Sequence, residues 1–248
     1  MYKILRKNLP DKIKNKKIVN GPLYGMRMVT SWRDYPAALL GRTERPLLIW
    51  LQRHVQPGQT WLDIGAHYGY TALALSQYVG VKGRVLAFEP VLATAGCISQ
   101  TRKLNQLSQL QIVPFALHDQ PGLQISELPL IRGMADSTIR DASEMVAFQQ
   151  ASLDWLWFEA GISELALHRM DGVKIDVQGM ELKVLSGMRR CLMQFRPKIV
   201  IELHAGVDRE QFRGLMSELG YPNPGESVET GSLAHDYRDD CSYAFFPG

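Results

Sequence analysis

Cysteine is scarce in this chain: Cys97, Cys191 and Cys241 are the three in 248 residues. They are odd in number, far apart and form no Cys-x-x-Cys pair. That argues against a disulfide framework and a zinc site, and it fits a reducing, cytoplasmic setting. No uninterrupted apolar run approaches the roughly 20 residues a spanning helix needs, so no integral membrane segment is expected. The start is basic (Lys3, Arg6, Lys7, Lys12, Lys14, Lys16 and Lys17) but has neither the apolar core nor the small-residue cleavage site of a secretory signal. A solvated, partly frayed arm is the expectation there. Net charge is only +3, and much of the excess lies in that arm, so nucleic acid is not an expected partner. Internal repeats and low-complexity linkers are missing as well.

What is present is an alternation of strands and helices. The composition is that of a globular protein, 46% hydrophobic and 21% charged, and one α/β domain is the simplest count. Apolar residues recur at helical spacing from Pro36 to Val55, and Pro57-Gly58 turns the chain into a strand at Trp61. Strands are expected at Trp61 to Ile64, Arg84 to Phe88, Gln111 to Phe115, Val173 to Val177 and Lys198 to Leu203. Helices are expected at Thr71 to Val79, Ala93 to Asn105, Leu153 to Ala160, Gly179 to Met193 and Glu210 to Leu219. Leu123 to Leu128 resembles an added strand, and Ser242 to Phe246 a final antiparallel edge strand. The alternation predicts a mainly parallel sheet with right-handed crossovers. Leu130 to Ser143 is the least patterned stretch, and Ile131 to Ser143 within it is read either as a lid or acceptor-recognition loop or as a mobile surface loop.

Three features converge on one rim. Trp61-Leu-Asp-Ile-Gly-Ala-His-Tyr-Gly-Tyr-Thr71 is a strand breaking into a glycine turn and a helix, with Asp63 at the strand's end. Glu89 ends the next strand in Ala87-Phe-Glu-Pro90, where a carboxylate can accept from both hydroxyls of a ribose. Asp176 follows the buried run Val173-Lys-Ile and precedes Gly179. Between Gly65 and Gly69 the glycine spacing of a dinucleotide fingerprint is absent, and Asp63 would repel a pyrophosphate. A ligand with a cationic amino group, a carboxylate and a ribose suits these residues, and S-adenosylmethionine has all three.

Those motifs look like the first two of class I S-adenosylmethionine-dependent methyltransferases. Val173-Lys-Ile-Asp-Val-Gln-Gly-Met-Glu-Leu-Lys-Val-Leu-Ser-Gly187 resembles the signature of the FkbM-type members, supported by Leu153-Asp-Trp-Leu156 and Ile201-Glu-Leu-His204. The resemblance spans roughly Glu44 to His204. It implies an α/β, Rossmann-like class I fold: a mainly parallel sheet with an antiparallel last strand and helices on both faces. Residues 1–56 would be a basic arm and helical extension, and 57–248 the methyltransferase domain. Asp63, Gly65, Ala66 and Gly69 would shape the methionine end of S-adenosylmethionine, with Thr71 on its carboxylate, Glu89 on its ribose and Asp119 near its adenine. The acceptor implied is a hydroxyl on a sugar, lipid or secondary metabolite. One departure is Gln178, where the family usually has Glu.

Methyl transfer to oxygen needs alignment and, for an alcohol, removal of a proton. His204 is the candidate base, with Asp176 orienting acceptor or donor; a structural histidine is the bland alternative. Asp63 as a plain helix-start cap rivals its cofactor role. Asp176 and Glu202 could hold Mg²⁺, but no third carboxylate joins them, so no metal is expected. Lys174 is uninformative, and Glu181 reads as a helix-start charge. Two other classes compete: a cofactor-binding module without catalysis, which Gln178 favours, and a nicotinamide-dependent oxidoreductase, which the glycine spacing disfavours.

Overall fold

The computed structural model describes residues 9–131, 134–135 and 144–248. It begins with a hairpin, β1 (Lys14–Lys17) antiparallel to β2 (Arg27–Thr30). The basic segment is therefore paired from Lys14 onward, with its lysines largely solvated. The hairpin is docked as well: Asn105 accepts from the Arg27 amide at 2.9 Å, and the Thr101 hydroxyl from that of Val29 at 2.9 Å. Next come α1 (Pro36–Leu39) and α2 (Arg45–His54), whose buried face is Leu47, Leu48, Trp50 and Leu51. Pro46 sits in the first turn of α2, where a missing N–H costs nothing.

The central motif follows as β3 (Thr60–Ile64), α3 (Tyr70–Val79), β4 (Arg84–Phe88), α4 (Leu92–Leu104) and β5 (Leu110–Val113). β5 stops short of the expected Phe115 because Pro114 has no N–H to continue the ladder. The chain then builds a separate small sheet from β6 (Ala116–Leu117), β7 (Gln124–Ile131), β8 (Met134–Ala135) and β9 (Met145–Ala151), in the order β6-β9-β7-β8. The strand expected at Leu123 to Leu128 is thus present in β7 but outside the main sheet, and β9 has no counterpart in the sequence expectation. Most of the Ile131 to Ser143 loop lies outside the described residues.

The second half runs α5 (Leu153–Phe158), β10 (Gly172–Ile175), α6 (Glu181–Ser186), α7 (Arg189–Phe195), β11 (Lys198–Leu203), α8 (Arg209–Glu218), β12 (Glu226–Ser227) and β13 (Cys241–Phe245). The single helix expected from Gly179 to Met193 is two. A Cβ at Gly187 would stand 1.9 Å from the His118 carbonyl oxygen, so the chain packs flush there. The second helix starts afresh on the Asp154 carboxylate, which accepts from the amides of Arg190 and Cys191 at 2.9 and 2.8 Å.

The main sheet has the order β12-β13-β11-β10-β3-β4-β5. Pairings from β11 to β5 are parallel, and β13 is antiparallel to β11. β13 is not the edge strand expected, because β12 pairs beyond it. Side chains alternate between two cores. Leu62, Ile64, Val173, Ile175, Ile199 and Ile201 face the α5–α8 side. Trp61, Val85, Ala87 and Val200 face α2, α3 and the N-terminal hairpin. Strand order reverses between β3 and β10, which makes their carboxyl ends the crevice where such sheets bind ligands.

Candidate active site

Four of the residues singled out in the sequence follow directly on four neighbouring strands. Gly65 succeeds β3, Glu89 β4, Asp176 β10 and His204 β11. The register lines up the ends of β3, β4 and β10, with Ile64 opposite both Phe88 and Ile175, while β11 runs two residues past Ile201, the partner of Ile175. A cavity of about 280 Å³ opens above them, near the lower end of the range for small-molecule sites. Its wall includes Gly65, Ala66, Thr71, Glu89, Asp176, Gln178 and Glu202, closed by Phe115, Ala116 and Leu117 on one side and by Asp34, Tyr35, Thr43 and Glu44 from the N-terminal segment.

The turn after β3 is shaped by close packing. A Cβ at Gly65 would come 1.8 Å from the Asp176 carbonyl oxygen, and its φ of +79° favours glycine. Gly65→Ala should therefore cost at least about 2 kcal/mol, strain and overlap adding. Urea unfolding checks this, and an unchanged midpoint would contradict the contact. Glu44, His67 and Gln178 all line the cavity with φ between 50° and 52°, left-handed for non-glycine residues. Such conformations persist where surrounding structure holds them, and they concentrate at functional sites.

Glu89 is buried but accessible from the cavity. One of its carboxylate oxygens accepts from the His67 amide at 2.8 Å and the other from that of Val91 at 2.9 Å. A carboxylate has lone pairs beyond these two bonds, so it retains capacity for a ligand's hydroxyl groups. Burial pushes its pKa up to about 8 against the pull of the two amides.

Asp63 is fully buried beneath the turn and does not line the cavity. Burial raises its pKa, and the Lys174 ammonium at 3.2 Å opposes that shift. It also approaches the Ala72 amide in the first turn of α3. Neither of its oxygens makes a hydrogen bond among the described residues, so the Lys174 ammonium is the contact that balances its charge. Lys174 is the hub of this layer: its Nζ also reaches the Gly65 carbonyl at 3.2 Å and Asp176 at 3.4 Å. The clue was available in the sequence, since a lysine between Val173 and Ile175 in a central strand must find a buried acid. The register then sets Lys174 opposite Asp63.

His204 is almost completely buried. Its Nδ1 lies 2.7 Å from Oε1 of Glu181, which is itself fully buried in the first turn of α6. Nε2 lies 2.8 Å from the Gln178 amide nitrogen and 3.5 Å from both Asp176 and Glu202. Burial disfavours the imidazolium, but the Glu181 bond and the carboxylates of Asp176 and Glu202 outweigh it and lift the His204 pKa to about 9. Burial, Asp176 and Glu44 push Glu202 up to about 8. Asp176 is held below its usual value although burial opposes this, because Lys174 and His204 stand beside it. Gln178 also reaches Asp176 at 3.3 Å, so the neutral amide bridges acid and imidazole. Glu181 was legible only as a helix-start charge, because its partner lies 23 residues further on.

The structure thus brings together Gly65, Ala66, Thr71, Glu89, Asp176 and, behind Gln178, His204. Gly69 begins α3 against Ile98, outside the lining. Asp119 also lies outside it, its carboxylate 2.6 Å from His118 Nδ1. Donor atoms of Asp176, Glu202 and His204 lie within 4.8 Å of one another, so the third possible metal ligand, missing among the carboxylates, is the histidine.

A parallel sheet with an antiparallel strand beside β11, and a carboxylate at the end of β4 over a glycine turn, define a class I methyltransferase domain. The model of the methyltransferase FkbM domain matches residues 63–223, more than half of the chain. The chain belongs to the FkbM methyltransferase family. Among curated proteins none matches it by sequence. Similar solved structures include the FkbM methyltransferase of Methylobacillus flagellatus KT (16% identity, TM-score 0.47, covering 86% of this chain). This chain spans 54% of that protein's length. Another is a SAM-dependent methyltransferase from Aquifex aeolicus (15% identity, TM-score 0.47, covering 86% and 93% of the two chains). A third is Aeropyrum pernix fibrillarin with natively bound S-adenosyl-L-methionine (17% identity, TM-score 0.44, covering 95% and 88%).

Proposed function

We propose that the chain is an S-adenosylmethionine-dependent O-methyltransferase acting on a hydroxyl of a sugar, lipid or secondary metabolite. The observation that carries this reading is one rim holding Glu89, with spare acceptor capacity, and a buried histidine oriented by an acid, His204 on Glu181. The wall acids Asp34, Glu44, Glu89, Asp176 and Glu202 outnumber the lining's lysine, Lys174. That negative surplus suits a positively charged cofactor.

When bound, S-adenosylmethionine supplies a methyl group on a cationic sulfur. Glu89 accepts from the ribose hydroxyls, and Phe115, Ala116 and Leu117 form the apolar wall for the adenine. Gly65, Ala66 and Gly69 shape the turn, while the free amides and the Thr71 hydroxyl at the start of α3 receive the carboxylate. Asp63 and Lys174 hold that turn from below. Asp34, Tyr35, Thr43 and Glu44 of the N-terminal extension help cover the cofactor. Asp176 orients the acceptor hydroxyl, and His204 Nε2, ring fixed by Glu181 at Nδ1, takes its proton when that hydroxyl replaces the Gln178 amide now 2.8 Å from Nε2. Until then Gln178 keeps Asp176 and His204 together without adding a charge. The cytoplasm is the proposed setting: Cys97, Cys191 and Cys241 are free thiols. No helix among the described residues is long and apolar enough to cross a membrane.

Transfer of the methyl to oxygen is tested with methyl-labelled S-adenosylmethionine and extracted acceptor pools. Label recovered as an alkali-stable methyl ether is the expected product. Label on nitrogen, or released by alkali as from a carboxyl ester, would contradict the reading. Cofactor binding with no transfer to any pool would favour a binding module instead. The reaction is expected to need no metal: the Lys174 ammonium already faces Asp176, and the Gln178 amide faces His204 Nε2. EDTA should leave turnover unchanged. A tenfold loss restored by Mg²⁺ or Mn²⁺ would instead assign Asp176, Glu202 and His204 to a cation.

A further inference from the structure

The N-terminal segment brings two acids into the cavity wall from outside the residues that match the family, Asp34, which accepts from the Ser31 and Tyr68 hydroxyls, and Glu44. The latter is held there at a cost. Glu44 is the residue before α2, with φ 52° and ψ 22°, a left-handed conformation that a non-glycine residue adopts only under constraint. Its surroundings do not supply a counter-ion of its own. Lys174 is taken by Asp63, Asp176 and the Gly65 carbonyl at 3.2 to 3.4 Å, and the Thr43 hydroxyl approaches Glu44 only to 3.4 Å. Burial and the charge of Asp176 both disfavour its ionised form, Lys174 only partly offsetting them.

A second group on the same wall is unsatisfied. The Tyr70 hydroxyl is buried and finds no hydrogen-bond partner among the described residues. Tyr70 is the first residue of α3, so its ring stands beside the helix start whose amides suit a carboxylate. An unpaired buried hydroxyl costs about 1–3 kcal/mol, and a ligand that bonds it recovers that cost.

We propose that Glu44 and the Tyr70 hydroxyl receive the ammonium group of the cofactor's amino-acid end, while the α3 amides take its carboxylate. An ammonium has three donors and one positive charge. It would satisfy the hydroxyl oxygen and neutralise the carboxylate together. Glu44 is then a cofactor-binding residue, and the N-terminal segment selects for the amino-acid end of the ligand. The inference rests on the S-adenosylmethionine reading above and goes further by placing the ammonium.

The test is calorimetry on the full chain with two probes, S-adenosylmethionine and 5′-methylthioadenosine, which shares the nucleoside and lacks the amino-acid end. In Glu44→Gln, affinity for S-adenosylmethionine should fall about tenfold to a hundredfold, the loss of one charge-assisted contact. Methylthioadenosine should bind as it does to the wild type. Glu44→Gly relaxes the backbone and should show the same selective loss, which separates the carboxylate from the strain. Equal S-adenosylmethionine affinity in wild type and Glu44→Gln would overturn the inference and leave the cofactor reading intact. So would equal losses for both probes, which mark a structural role, and an Glu44→Gln defect seen only in acceptor KM, which places an acceptor amine there. A wild type that binds neither probe would overturn both.

Discussion

Glu89→Ala is expected to weaken S-adenosylmethionine binding by about two orders of magnitude or more, because two hydroxyl-to-carboxylate bonds at about 1.5–3 kcal/mol each are lost. Part of that loss arises within the protein. The variant strips a partner from the amides of His67 and Val91, so the turn carrying His67 should loosen. Glu89→Gln separates the two contributions. It keeps an acceptor oxygen for one amide but offers an N–H₂ where the other amide pointed, and it removes the charge. Calorimetry with S-adenosylhomocysteine checks the series, and near wild-type affinity in Glu89→Ala would remove the ribose assignment. Since burial lifts Glu89 to about 8, the carboxylate form that accepts both hydroxyls grows as pH rises. Cofactor affinity should therefore increase between about pH 7 and 9 in the wild type and not in Glu89→Gln.

His204→Ala is expected to lower turnover by about 10²- to 10⁴-fold, the usual contribution of a positioned proton acceptor, with little change in cofactor affinity. The pH dependence sharpens the expectation. His204 is held at about 9, so its base form increases as pH rises, and turnover should climb towards that value. Glu181→Gln keeps an acceptor oxygen for Nδ1 but removes the charge that helps raise this pKa, so the climb should move to lower pH. A merely structural Glu181 would change amplitude and leave the midpoint in place. The same group sets a stability trend. With its folded pKa above the ordinary value of about 6.5, His204 contributes stability that is complete below that value. The contribution is lost as pH rises through about 9. Unchanged turnover of His204→Ala across the profile would end the base assignment.

Much of this architecture is legible in the residues because periodicity and glycine placement are local signals. The β3 turn, the Glu89 strand end and the Asp176 turn could be placed one after another, and the sheet confirms that they share a rim. What escaped was set by contacts distant in sequence. Gly187 breaks a helix because of the His118 carbonyl, and β9 exists because β7 pairs with it. Glu181 gains its meaning from His204, and Lys174 from Asp63. Asp63 shows what a motif leaves open. It lies at the carboxyl end of β3 as expected, yet its carboxylate is fully buried outside the cavity lining, paired with Lys174 at 3.2 Å. Glu44 marks where the resemblance begins, but only the fold of the N-terminal segment carries it into the cavity.

The central claim is that one cavity aligns a donor held by Glu89 with a proton acceptor at His204. The most direct measurement is a crystal structure of the complex with S-adenosylhomocysteine. The account predicts ribose hydroxyls on Glu89, the adenine against Phe115 to Leu117, and the sulfur directed at the Asp176–Gln178–His204 rim. A ligand bound with its ribose away from Glu89, or with its sulfur turned from that rim, would contradict it.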